Sequence, residues 1–151
     1  MKNMLRFLKD ESGFAAAEFG AVGAILTICT IGVVDVGTLV RTSMRAKYAV
    51  AAGASYAFRN GFDASAISTA VLSASNAGSI SVSPGPSQFY GCATSSGVST
   101  VSDGSTACAG STLMPGLYVK VQASASFTPI FNSSLFNYPS AVNVTSVVRI
   151  K

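Results

Sequence analysis

With no histidine in 151 residues, general acid–base or metal chemistry would fall to the six carboxylates and three cysteines. Asp10 and Glu11 precede a long apolar run, Glu18 lies in its first turn, and Asp35 marks its end. Only Asp63 and Asp103 remain for the rest of the chain, far apart in sequence. Asp63 reads as a helix N-cap and Asp103-Gly104 as a turn. Paired-carboxylate or metal-assisted hydrolysis is therefore not expected, and no metal or cofactor is implied. Gly-x-Ser, as in Gly53-Ala54-Ser55, is chance in so Gly- and Ser-rich a chain, and Lys120 stands beside no nucleophile. Asn132-Ser133-Ser134 and Asn143-Val144-Thr145 match the glycosylation acceptor pattern and are given no role. The expectation is a non-enzymatic protein without a small-molecule substrate.

The net charge of +4 raises the question of an anionic partner. Lys2, Arg6 and Lys9 precede the apolar run, and Arg41, Arg45 and Lys47 follow it. Arg59, Lys120, Arg149 and Lys151 are all that is left, so the basic residues mark membrane boundaries and form no stripe for nucleic acid. Three basic residues on each side leave the helix unoriented by charge. Cys92 and Cys108 bracket a 15-residue Gly/Ser/Thr-rich loop. A disulfide there would contribute about 3 kcal/mol in the chain-entropy model and would require an oxidising compartment. The alternative is two reduced thiols. Cys29, inside the apolar run, reads as a small hydrophobe.

The element positioning Glu18 and Asp35 is a long helix. Phe19 to Val34 are 16 residues without a charge, about 24 Å of helix. Adding Phe14 to Ala17 brings the run close to the ~30 Å of a bilayer core. A secretory signal is cut after its apolar region; here the small-residue cut lies before it, after Gly13, so the helix would be kept. Nothing stops that helix before Arg59-Asn60-Gly61. Ala16, Gly20 and Ala24, and again Ala49, Gly53 and Ala57, recur at intervals of four and permit close backbone approach.

A second helix follows the Asp63 cap, with Ala66, Ile67, Ala70, Val71 and Ala74 as its apolar stripe, and Asn76-Ala77-Gly78 ends it. Ser79 to Ser83 alternates like a short strand. Pro84 to Pro115 reads as irregular, since 14 of the 22 residues from Gly91 to Thr112 are Gly, Ser or Thr. Leu117 to Phe127 and Val142 to Ile150 alternate as half-buried antiparallel strands. The expected fold is α+β, with a leader over 1–13, a transmembrane and extended helix over 14–59, and an outer domain over 60–151. That domain would hold the second helix and a sheet of roughly three strands.

The stretch Glu11-Ser12-Gly13-Phe14-Ala15-Ala16-Ala17-Glu18-Phe19 resembles the start of TadE-type pseudopilins (minor pilins) of the tight-adherence, or Tad/Flp, pilus machinery. These have a charged leader ending in Gly, an Ala-rich stretch, and Glu-Phe opening the membrane helix. The resemblance continues at Asp35-Val36-Gly37, Ala51-Ala52-Gly53-Ala54, Phe127-Thr128-Pro129-Ile130 and Val147-Val148-Arg149. Asp35 stands where Glu is commoner, and the Cys92 to Cys108 loop is no general feature of the family.

The resemblance implies cleavage by a prepilin peptidase between Gly13 and Phe14 at the cytoplasmic face of a bacterial inner membrane. The N-terminus would be inside and the C-terminal domain outside. It implies assembly through Glu18, Phe19 and Asp35 with other pilins, pseudopilins and inner-membrane assembly proteins, serving surface adhesion. Physically, Gly13 allows an extended peptide at the protease, and the basic leader holds to anionic lipid. Glu18 could neutralise the new Phe14 ammonium, its own or a neighbour's. Two alternatives are an uncleaved signal-anchored protein that binds a ligand through its disulfide loop, and a pseudopilin of a type II secretion or type IV pilus system.

Overall fold

The computed structural model describes residues 11–76, 78–130 and 138–151. The leader residues Lys2, Arg6 and Lys9, Ala77 of the second helix stop, and Asn132-Ser133-Ser134 lie outside them. The elements run α1 (Glu11–Asn60), α2 (Ala64–Ser75), β1 (Ile80–Ser81), β2 (Ser87–Thr94), β3 (Gly97–Val101), β4 (Gly116–Ser126) and β5 (Ala141–Arg149). By its contacts the chain divides into two compact units, Met1–Thr38 with Pro129–Asn137, and Leu39–Thr128 with Tyr138–Lys151.

The second unit is α+β. β4 is its central strand: β5 pairs antiparallel along one edge, and β2 and β1 share the other, with β3 outside β2. The sheet thus has five strands where about three were expected. β2 and β3 arise within the stretch read as irregular, paired from Tyr90 with Val101 to Thr94 with Gly97, around a Ser95-Ser96 turn. Their composition hides them, because few of their residues are large and apolar. The ladder to β4 places them, and Phe89 stacks on Tyr118 with ring centroids 5.8 Å apart.

The core lies where the last turns of α1, the inner face of α2 and one face of β4 meet. Ala46, Ala49, Val50, Ala54 and Ala57 bury against Ile67, Val71, Ile80, Val119, Val121, Ala123 and Ala125. Burying each of the larger side chains contributes about 1.5–3 kcal/mol. The alternation read from Leu117 to Phe127 holds at Val119, Val121, Ala123 and Ala125, which face the core in succession. The Ala49, Gly53, Ala57 face is therefore spent inside the chain. Gly53 needs its missing side chain, because a Cβ there would overlap Val71 and lie 3.2 Å from Val121 Cγ1. Ala16 and Gly20, by contrast, are exposed.

The caps follow from local chemistry. Gly61 leaves α1 at φ +84°, a left-handed conformation that costs glycine little, and donates to the Ala57 carbonyl at 2.9 Å. Asp63 caps α2 by accepting from the Ser65 and Ala66 amides at 2.9 and 3.0 Å, worth about 1 kcal/mol. The buried stripe of α2 runs Ile67, Val71, Ser75 rather than ending at Ala74. Ser75 is tolerated there because its hydroxyl donates to the Leu72 carbonyl at 2.7 Å.

Candidate functional site

α1 contains the one stretch, among the described residues, long and apolar enough to cross a membrane. The mean hydropathy of its most apolar 18 residues is 2.0, and only 6% of them are buried. A soluble core helix hides such a surface; this one leaves it outward. Two of its hydroxyls are satisfied within the helix: Thr27 and Thr30 donate to the Gly23 and Leu26 carbonyls, each at 2.8 Å. Apolar surroundings demand that internal satisfaction. Phe14, Glu18 and Phe19 are all exposed along the first turns, Phe19 at 81%. The sequence therefore places a carboxylate and two aromatic rings outward on one apolar helix.

Asp35 is different. Seventeen residues, about 25 Å of helix, separate it from Glu18, so the two carboxylates do not form one site. Asp35 is 1% exposed, and its Oδ1 accepts the Ile130 backbone N–H at 2.8 Å. Its carbonyl also accepts the Thr38 hydroxyl at 2.9 Å. Sequence reasoning assigned Asp35 to assembly and to the outer end of the apolar run. The structure adds an intramolecular partner 95 positions away. No sequence signal marked that partner, since the donor is a backbone N–H.

Cys92 and Cys108 form a disulfide with their Cα atoms 5.8 Å apart, while Cys29 is a free, exposed thiol. The bridge ties β2 to the 102–115 segment, where the Cys108 amide donates to the Leu113 carbonyl at 2.9 Å. Beside it lies a cavity of about 230 Å³, lined among others by Cys92, Leu113, Met114, Tyr118 and Arg149. The Arg149 Nε is already committed to the Lys151 carbonyl at 2.8 Å. Asp103 folds the same segment by accepting from the Ser105 and Thr106 amides and the Ser105 hydroxyl. The Ser105 amide is the largest of the causes that hold its carboxyl below the usual range. Among the described residues, no three His, Cys, Asp or Glu side chains are grouped to hold a metal ion.

Compared with known proteins, the chain matches no family model, no curated protein and no solved structure.

Proposed function

We propose that the chain is a structural, non-enzymatic minor pilin of TadE type, processed after Gly13 and taking part in Tad/Flp-type pilus assembly at the bacterial inner membrane. One observation carries the reading: an apolar helix with exposed flanks bears an outward carboxylate, Glu18, about two turns from its start and five residues beyond Gly13. A carboxylate in a membrane helix costs about 2.5–3.5 kcal/mol at the bilayer centre and less near the interface. Pairing Glu18 with the ammonium freed on Phe14 recovers part of that cost and sets the register of neighbouring helices. The partners are the prepilin peptidase, other pilins or pseudopilins, assembly proteins and membrane lipid. The orientation follows from processing: leader inside, Leu39–Lys151 side outside.

The test is the N-terminal sequence and intact mass of the chain extracted from its native membrane. A chain beginning at Phe14 is expected. A chain beginning at Met1 in cells with active prepilin peptidase overturns the proposal. Glu18→Ala is expected to abolish assembly while leaving cleavage largely intact; wild-type pilus numbers in that variant remove the role given to Glu18. The second reading, an uncleaved envelope protein that binds through its disulfide loop, is favoured by the cavity beside Cys92 and Cys108. A Met1 terminus together with ligand binding lost on Met114→Asp would select it.

A further inference from the structure

Ile130 is held against α1 at Asp35 by one short hydrogen bond, yet its side chain is 69% exposed. Its backbone therefore sits within about 3 Å of the carboxylate that ends the apolar run. If α1 spans a bilayer, as the reading above has it, Asp35 lies near one boundary of the hydrocarbon, about 25 Å of helix from Glu18. An exposed isoleucine at that depth meets the headgroup and upper acyl region rather than bulk water.

The sequence around it suits that place. From Val121 to Val148 there is no charged residue. Apolar and aromatic side chains partition to the membrane interface. The obstacle is the backbone, because irregular structure at membrane depth leaves N–H groups without water. Asp35 removes it for Ile130: the carboxylate accepts the orphan N–H, and the N–H compensates a carboxylate that is almost fully buried.

The geometry points to a second membrane contact in this chain: Ile130, just beyond β4, is a lipid-interface anchor positioned by Asp35. It takes the headgroup and upper acyl region of a phospholipid leaflet. The inference rests on α1 spanning the bilayer.

The chain has no tryptophan, so single substitutions report depth without background. Ile130→Trp, Val36→Trp and Phe58→Trp, each in the full chain, are reconstituted in phosphatidylcholine vesicles whose lipids carry bromine near the top of the acyl chain. Val36 is exposed beside Asp35, and Phe58 is exposed on the same helix about 33 Å further on. Quenching is expected at positions 130 and 36 to the same extent, and absent at 58. Quenching at 36 but none at 130 overturns the anchor and leaves the spanning helix intact. No quenching at 36 or 130 overturns the anchor together with the membrane reading beneath it. If Ile130→Trp fails to fold, the unsubstituted chain in lipid nanodiscs gives the same answer through cross-relaxation between the Ile130 methyls and lipid acyl protons. Cross-relaxation with water alone overturns the anchor.

Discussion

Gly53→Val is expected to unfold most of the α+β unit at temperatures where the native chain is intact. The position lies where α1 packs most closely on both α2 and the sheet, with Val71 and Ile67 on one side and Val121 on the other. A single methyl already overlaps Val71. Alanine alone would recover about 1 kcal/mol of helix propensity and forfeit about 1–3 kcal/mol to overpacking. Valine adds two further methyls with a stiff χ1 and nowhere to place them. Against a typical domain stability of 5–15 kcal/mol, a loss of about 3 kcal/mol or more is decisive. It lowers Tm by roughly 12–24 °C for a unit of this size. Thermal unfolding followed by circular dichroism in detergent is the measurement, with Gly20→Val as control. A Cβ at Gly20 meets nothing, so that variant should match the native Tm. Gly53→Ala combined with Val71→Ala should be less destabilised than the sum of the two single variants, since the second removes the methyl that the first strikes. Strict additivity would mean that the close approach is not what selects glycine.

Removing the disulfide is the second large effect. The bridge closes a loop of 16 positions, for which the chain-entropy model gives about 3 kcal/mol. Cys92→Ser, Cys108→Ser and reduction of the native chain should lower Tm equally. The consequences should also be local. β2 is held to β4 over Ser87 to Gly91 only, while β4 and β5 pair over nine positions from Tyr118 to Ser126. Hydrogen exchange should therefore rise first in β2 and β3, with the amides shared by β4 and β5 keeping their protection. Equal acceleration across all five strands would show that the bridge supports the whole sheet rather than its outer hairpin.

Which parts of this molecule were readable in advance follows from what each part relies on. α1, the Asp63 cap, the Gly61 stop, β4 and β5 rest on local signals: uninterrupted hydropathy, one carboxylate beside two amides, and strict alternation. The bridge from Cys92 to Cys108 was readable because a loop with little apolar content needs another tie. β2 and β3 were not readable. Their hairpin turns on Ser95-Ser96 with Gly97 after it, without the Asn-Gly or Asp-Gly signal, and their stability comes from the neighbouring edge of β4. Tyr118, on the face of β4 opposite Val119 and Val121, is buried as well because Phe89 stacks on it, a contact that no periodicity announces. At the candidate site, Glu18 stood out as a charge in an apolar run. The pairing of Asp35 with Ile130 could not be read, because it joins positions 95 apart through a backbone N–H, a donor that every residue but proline carries.

The seating of β4 between partners on both edges also decides when the molecule can fold. Its inner face needs Val50 and Ala54, made early in synthesis, and its two edges need β2 before it and β5 after it. Contacts of such sequence separation close slowly. The apolar helix is complete, and able to enter a bilayer, while the sheet that will cover its far end has yet to be synthesised. Formation of the helix and folding of the sheet are thereby ordered in time, with the helix first and the sheet only once β5 has emerged.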